Sequence, residues 1–434
     1  LTDLKRPVPK EARRCVVLST LGSLGDLYPV LSVAKALTRQ GVEVRLALTP
    51  EDCDVARDWG LTATPVGPSQ AEMCAALGMT RDEVAASVLR DPRPLLKRAL
   101  LPLLPEMTQA VLDLSEGAAC VAGTPFAMGA ALAAERRGLP FVPMLLQPLM
   151  AMAPSDPPTG GVYALAIRRP KPRLALLWNR FALSLIRRTL RMTLLPGQNR
   201  LRRSLGLPAT SKTPLLDYDG HIPFLLGLWD EVFAPCPQDG PDGLILGGFP
   251  PAPAGGLPDG AQTWLDAGPP PLVVTLGSIA QGLGRDTFWQ DAADMARRMD
   301  LRAVLLHGTA GAPAASDQIL PLAYAAHAPL FPQAAAIVHH GGIGTTAEAL
   351  RAGRPQLVLP VGGDQPDNAA RLRDLDLAAT LPITGFTAAR GAEALRTLLS
   401  IFDDPTASKL AKTISNRNGA TFAADRIATL LPQH

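Results

Sequence analysis

Residues 337–350 read IVHHGGIGTTAEAL, an apolar run, two histidines, three glycines within four residues and two threonines leading into an alanine-rich pattern. If the run is a strand and the pattern a helix, the glycines fall at the helix N-terminus. Unpaired N–H groups and a partial positive charge there favour an anion. Glycine lets a phosphate reach the backbone, threonine hydroxyls add donors, and a histidine just before the turn offers a ring N–H. Gly341, Gly342, Gly344, Thr345 and Thr346 therefore read as an anion cradle, with His340 as a side-chain donor. The competing reading is a plain glycine-rich turn with a satisfied histidine. The spacing is neither G-x-x-x-x-G-K-[ST] nor G-x-G-x-x-G, so it supports neither ATP nor NAD.

A second polar group follows in LPVGGDQPDNAARL (359–372). Asp364 and Gln365 side by side on a loop can grip vicinal hydroxyls, the acid accepting and the amide both donating and accepting. Helix capping is the bland alternative for the pair. Glu348, one turn beyond the cradle, is placed to reach a ribose, although a solvated helix position explains it equally well.

Positioning these groups requires strands that end where helices begin. CVVLST (15–20), VEVRLALT (42–49), LTATPVG (61–67), AACVAG (118–123) and LPFVPMLL (139–146) read as strands alternating with helical patterns. From about 150 to 235 the rhythm loosens into a proline-rich, basic stretch. It resumes with LIL (244–246), PLVVTLG (271–277), LRAVLLHG (301–308), AAIVHHG (335–341) and RPQLVLPV (354–361). Such alternation implies parallel sheets covered by helices on both faces, here in two doubly wound domains. The expected division is 1–235, with a basic, apolar insertion at about 155–215, then 236–415. ATFAADRIATLLP closes the chain as a helix in 416–434 that packs back on the first domain. In open sheets of this kind ligands bind beyond the carboxyl ends of the strands, where IVHHGG stands.

The bulk numbers agree with that scale. At 434 residues, 47% hydrophobic and 19% charged, the chain suits two cores rather than one. The N-terminal LTDLKRPVPKEARR is polar, lacks an apolar signal core and reads as a loose lead-in. No apolar run reaches the roughly 18 residues of a membrane span. Five scattered cysteines, none in C-x-x-C spacing, argue against structural zinc or a disulfide framework and fit a reduced, cytoplasmic protein.

The segments HHGGIGTTAEAL…AGRPQLVLPVGGDQPDNAARL and GSLGDLYP resemble the donor signature and the N-terminal loop G-[ST]-x-G-D-x-x-P of the GT-B glycosyltransferases of the nucleotide-sugar-dependent family 1. This superfamily holds antibiotic, sterol and plant secondary-metabolite glycosyltransferases and bacterial rhamnosyltransferases. HAPLFPQAAAIVHHGG matches the family's approach to the motif, and FAPCPQDGPDGLILGGFP resembles the rhamnosyltransferase-like branch weakly. The likeness is strong in the last third and thin between about 65 and 230. It implies a GT-B fold, two Rossmann-like domains facing a cleft. His340 would contact the diphosphate, Gly342 and Thr345 would line it, and Ser278 in TLGS would approach it. Glu348 would hold ribose hydroxyls, and Asp364 with Gln365 the hexose. His339 is expected to pack locally.

The resemblance also places a base in the N-terminal loop, here Asp26, beside Gly25 as a donor-binding candidate; Thr124 and Gln147 are the acceptor-binding candidates. A helix N-terminus would lower the pKa of Asp26 and desolvation would raise it. Capping a helix that begins near Pro29 is its alternative role. Two positions depart from the pattern: Leu24 often corresponds to Arg in antibiotic-type relatives, and Ala326 to Pro in bacterial ones.

Net charge is only +3, yet no Asp or Glu lies between Asp156 and Asp217, an interval rich in arginine from Arg168 to Arg203. An anionic membrane surface contacted through 163–203 and an ordinary solvated helical face compete to explain it, nucleic acid being disfavoured. The leucine-rich stretches 95–107 and 145–154 are expected to line a greasy acceptor site. The implied activity is inverting transfer of a hexose from a UDP- or dTDP-sugar to a hydroxyl of an apolar small molecule or lipid. The localisation expected is cytoplasmic or peripheral at the inner membrane face. Apart from the nucleotide sugar as co-substrate, no cofactor and no metal are implied, since helix N-termini and His340 neutralise the leaving group and no D-x-D motif occurs. The rival readings are a nucleotide-sugar epimerase of the same architecture and a non-catalytic sugar-nucleotide-binding partner protein.

Overall fold

The computed structural model describes residues 14–171, 173–218, 222–252, 255–277 and 287–432. The polar lead-in at 1–13 and Ser278 lie outside them. The first apolar run forms β1 (Cys15–Ser19), in which every residue is buried, as expected of a strand covered by helices on both faces. Beside it lie β2 (Glu43–Leu48) and β3 (Ala63–Pro65) on one side. On the other lie β4 (Cys120–Gly123), β5 (Phe141–Leu145), β6 (Leu225–Gly227) and β7 (Leu244–Leu246). The order is β3-β2-β1-β4-β5-β6-β7, with all strands parallel.

The second sheet contains β8 (Leu272–Thr275), β9 (Ala303–Leu306), β10 (Ile319–Leu322), β11 (Ala336–His339), β12 (Gln356–Val358) and β13 (Ala378–Thr380). Its order, β10-β9-β8-β11-β12-β13, repeats that of the first and is again wholly parallel. Strand order reverses between β1 and β4 in one sheet and between β8 and β11 in the other. The loops after these strands diverge there and leave a crevice.

One strand falls elsewhere than its sequence position suggests. LIL (244–246) was expected to open the second domain, but Leu244, Ile245 and Leu246 pair with Leu225, Leu226 and Gly227 as the edge of the first sheet. The first sheet thus extends past residue 235. The cause is β6, a three-residue strand hidden in the irregular basic stretch, which offers β7 a ladder that local periodicity cannot reveal.

The chain then returns. Helix Gly419–Ala428 inserts Ala420, Ala423, Ala424 and Ile427 among Leu27, Val30, Leu31 and Ala34 of helix Leu24–Arg39. The alanines permit close approach of the two backbones, and Gln40 adds a hydrogen bond to Asp425 at 2.7 Å. Further contacts hold the two halves together at the site: Gly363 N–H donates to the Leu89 carbonyl at 2.7 Å, and Arg371 pairs with Asp156 at 2.8 Å. No helix among the described residues is long and apolar enough to cross a membrane.

Candidate active site

At the end of β11 the two histidines have separate environments. His339 is fully buried; its Nδ1 accepts from the Gly341 N–H at 3.2 Å, and its Nε2 lies 3.0 Å from Gln356 Oε1. Both ring nitrogens are thereby used inside the fold. His340 is 7% exposed, and its Nδ1 is buried without a partner. Its ring is confined by two glycines: a Cβ built on Gly277 would stand 2.4 Å from its Cε1, and one on Gly342 would stand 2.4 Å from its Nε2. Burial, reinforced by His339 and His327, lowers the His340 pKa to about 3. The ring is neutral, with one N–H to give. His327, not singled out from the sequence, stacks on Phe331 at 4.4 Å between ring centroids and completes this histidine cluster.

The turn that follows needs its glycines. Gly341 has φ +91, and a Cβ there would lie 2.9 Å from Val358 Cγ1. Gly342 is the N-cap of helix Ile343–Ala352, and no side chain caps it. The first-turn amides therefore stay available to a ligand. A Cβ at Gly344 would meet nothing within 4 Å, while the buried Thr346 hydroxyl has no partner. Thr345 is buried as well. The segment is thus a bare helix end with a charge preference for anions.

Helix Gln365–Asp374 carries the hydroxyl-binding candidates. Gln365 is buried, and its Oε1 accepts from Val361 N–H at 2.8 Å and from Gly362 N–H at 3.3 Å. Its acceptor atom therefore ties down its own loop, contrary to the expectation that the amide would both donate and accept at a ligand. Asn368, not singled out from the sequence, donates to Asp364 Oδ2 at 2.7 Å and to the Gly341 carbonyl at 2.9 Å. It joins the two loops; its place one helical turn after Asp364 was the available signal. Burial and the nearby Asp26 push the Asp364 carboxyl up to about 7. The Asp26 carboxylate therefore lies near enough to Asp364 to contribute to this rise.

On the first-domain side, the helix begins earlier than Pro29. Ser23 is its N-cap and Asp26 its third residue, with Asp26 Oδ2 accepting from Ser23 N–H at 2.8 Å and from Ser23 Oγ at 3.0 Å. Asp26 does cap its helix, and in doing so its carboxylate is fixed in place. A Cβ on Gly22 would stand 2.3 Å from Asp26 Oδ2, so the glycine makes room for the carboxylate. Gly25 N–H bonds to Ser23 Oγ at 3.2 Å. Between the opposing influences expected on Asp26, burial exceeds the Ser23 hydrogen bonds and holds its pKa above the ordinary carboxylate value.

Other candidates are placed less directly. Glu348 forms an ion pair with Arg351, which also bonds to the Phe249 and Pro250 carbonyls, so a carboxylate expected at a ribose is partly engaged within the fold. Thr124 is buried, with its hydroxyl 3.0 Å from that of Thr20 across the switch point of the first sheet. Gln147 is partly exposed at the N-cap of the short helix Pro148–Ala151. The 95–107 stretch supplies core instead of an open greasy lining, since Leu95, Leu96, Leu100, Leu104 and Met107 are all buried in the first domain. Among the described residues no group of three or more His, Cys, Asp or Glu is arranged to hold a metal ion.

Comparison with known proteins covers nearly the whole chain. Residues 303–431 match the family described as Erythromycin biosynthesis protein CIII-like, C-terminal domain. Over 427 residues the chain is 29% identical to the vancomycin aglycone glucosyltransferase of Amycolatopsis orientalis, covering 94% of this chain and 96% of that protein. Over 422 residues it is 31% identical to the O-mycaminosyltylonolide 6-deoxyallosyltransferase of Streptomyces fradiae, covering 95% of this chain and 94% of that protein. The solved glycosyltransferase VinC in complex with dTDP shares the fold, with a TM-score of 0.68 at 22% identity over 96% of this chain and 99% of that one.

Proposed function

This chain belongs to the GT-B glycosyltransferases related to the bacterial antibiotic and sterol enzymes, and on that footing we propose that it transfers a hexose, with inversion, from a UDP- or dTDP-sugar to a hydroxyl of an apolar small molecule or lipid. The acceptor oxygen attacks the anomeric carbon as Asp26 takes its proton, and the bond from that carbon to the diphosphate breaks. The nucleoside diphosphate leaves with the bonding electrons. Its negative charge meets the first-turn amides of helix Ile343–Ala352, with Gly342, Gly344, Thr345 and Thr346 lining the way and neutral His340 donating one hydrogen bond.

The observation that carries this reading is the uncapped helix end beside an unpartnered, buried His340 nitrogen. Buried polar groups are ordinarily satisfied, and a diphosphate supplies the acceptors that this corner lacks. Asp364 holds hexose hydroxyls opposite Asp26, with Gln365 contributing its amide N–H₂ and Glu348 whatever acceptor capacity Arg351 leaves. The raised pKa of Asp26 favours the base role, because a carboxylate of higher pKa takes a proton more readily. Names of two relatives, one a glucosyltransferase and one a deoxyallosyltransferase, and the dTDP bound to VinC support a sugar nucleotide of this kind.

A panel of UDP- and dTDP-hexoses examined by ligand-observed NMR tests the donor. Saturation transfer to at least one nucleotide sugar, with an affinity weakened by His340→Ala, is expected. Silence across the panel with a folded chain would overturn the proposal.

A further inference from the structure

We propose that the long helix Arg173–Ser204 docks the protein on an anionic lipid bilayer, lying along the surface with its apolar stripe in the headgroup region. The stripe is formed by Leu174, Leu177, Trp178, Phe181 and Leu185, spaced three and four apart so that they share one face. Core-facing helices show the same spacing, but this face points to solvent: Leu174 is 77% exposed, Phe181 60% and Trp178 44%. The opposite face, with Ala175, Asn179 and Ala182, provides the contact with the rest of the domain. Val162, Leu165 and Ile167 in the preceding loop are also exposed, and Trp178 Nε1 donates to the Leu165 carbonyl at 2.8 Å, joining loop and stripe into one patch.

Charge decides what covers the patch. Several arginines of this segment are used inside the protein: Arg168 and Arg169 pair with Asp374, Arg191 with Asp217, and Arg202 with Glu135. Arg173, Arg180 and Arg188, around the stripe, are exposed and enter no ion pair among the described residues. No acid lies between Asp156 and Asp217 to balance them. A second copy seated on this face would set arginine against arginine. An anionic bilayer instead takes the apolar side chains into its interface and the guanidinium groups at its phosphates, with tryptophan at the level where it is most at home. With no helix of the described residues able to cross a membrane, the contact is interfacial.

The patch also adjoins the cleft. Just ahead of it, Thr159 N–H donates to Asp367 Oδ1 at 3.1 Å, and a Cβ on Gly160 would stand 2.5 Å from Pro366, next to Asp364 and Gln365. Its use, bringing an apolar acceptor from the bilayer to the site, rests on the proposed transfer reaction; the docking itself does not.

The test is flotation of the full chain with phosphatidylcholine vesicles, with and without phosphatidylglycerol, at increasing salt. Binding should require the anionic lipid and weaken as salt rises. Phe181→Asp, and separately Arg180→Glu with Arg188→Glu, should each reduce partitioning by about tenfold or more. Transfer to a water-soluble acceptor should be unchanged in these surface variants, which separates failure of docking from failure of the proposed reaction. Equal binding to neutral vesicles, undiminished binding by the variants, or a dimer that Phe181→Asp dissolves without any vesicle binding would each overturn the inference.

Discussion

Gly342→Ala tests the anion cradle through its tightest contact. The added methyl would stand 2.4 Å from His340 Nε2 and 3.1 Å from Cε1. Non-bonded heavy atoms rest about 3.5 Å apart, so the ring or the turn must move by about 1 Å. Gly277 already closes on the same ring, and such overpacking costs about 1–3 kcal/mol of stability. A hydrogen bond from His340 to a charged phosphate oxygen contributes about 1.5–3 kcal/mol, and the displacement forfeits most of it. At about 1.4 kcal/mol per factor of ten, the Kd for UDP or dTDP should rise by about tenfold to a hundredfold. His340→Ala should weaken binding similarly without the overpacking. In the double variant the alanine methyl has the space that the ring vacated. It should melt above Gly342→Ala alone and bind like His340→Ala alone, a strongly non-additive cycle. Calorimetric titration and thermal denaturation of the four proteins provide the measurements. A Gly342→Ala Kd within about twofold of the parent, or additive effects in the cycle, would refute the reasoning.

Asp26→Asn should lower kcat by about a hundredfold or more while leaving donor affinity intact, checked by initial rates and calorimetry; an unchanged kcat removes Asp26 from the mechanism. Only the ionised carboxylate accepts a proton. In the parent, kcat should therefore fall as pH drops through a pKa held above 3.8, and that limb should vanish in the variant. Asp364 holds its proton more tightly folded, at about 7, than unfolded, at 3.8, so its effect is a loss of stability as pH rises through that window. Asp364→Asn should accordingly melt above the parent beyond pH 7 and converge with it below pH 4; a pH-independent gap contradicts this. Arg371→Met leaves the fully buried Asp367 without its 2.8 Å partner and should cost about 3–5 kcal/mol by urea denaturation, a loss below about 1 kcal/mol being inconsistent with a buried pair.

Much of the molecule was legible along the chain because the controlling physics is local. Fully apolar runs such as Cys15–Ser19 and Ala336–His339 identify strands buried on both faces, and their alternation with helices implies parallel sheets. Gly341 and Gly342 mark a turn that admits no side chain, and their position at a strand end locates the candidate site. A histidine, a carboxylate and an amide at fixed offsets are visible as chemical groups in the sequence itself.

Only the tertiary structure decided how those groups are engaged. Leu244–Leu246 joins the first sheet because β6 offers it a ladder. Gln365 spends its oxygen on Val361 and Gly362, and Glu348 pairs with Arg351. Burial makes His340 a neutral donor, and the approach of Asp26, more than three hundred residues earlier in the chain, helps to raise Asp364. The arginine-rich segment likewise divides into residues that pair with Asp374, Asp217 and Glu135 and residues that face solvent. Periodicity and spacing record which side of its own element a residue occupies. Desolvation and ion pairing depend on which distant element comes to lie against that side, and folding alone sets this.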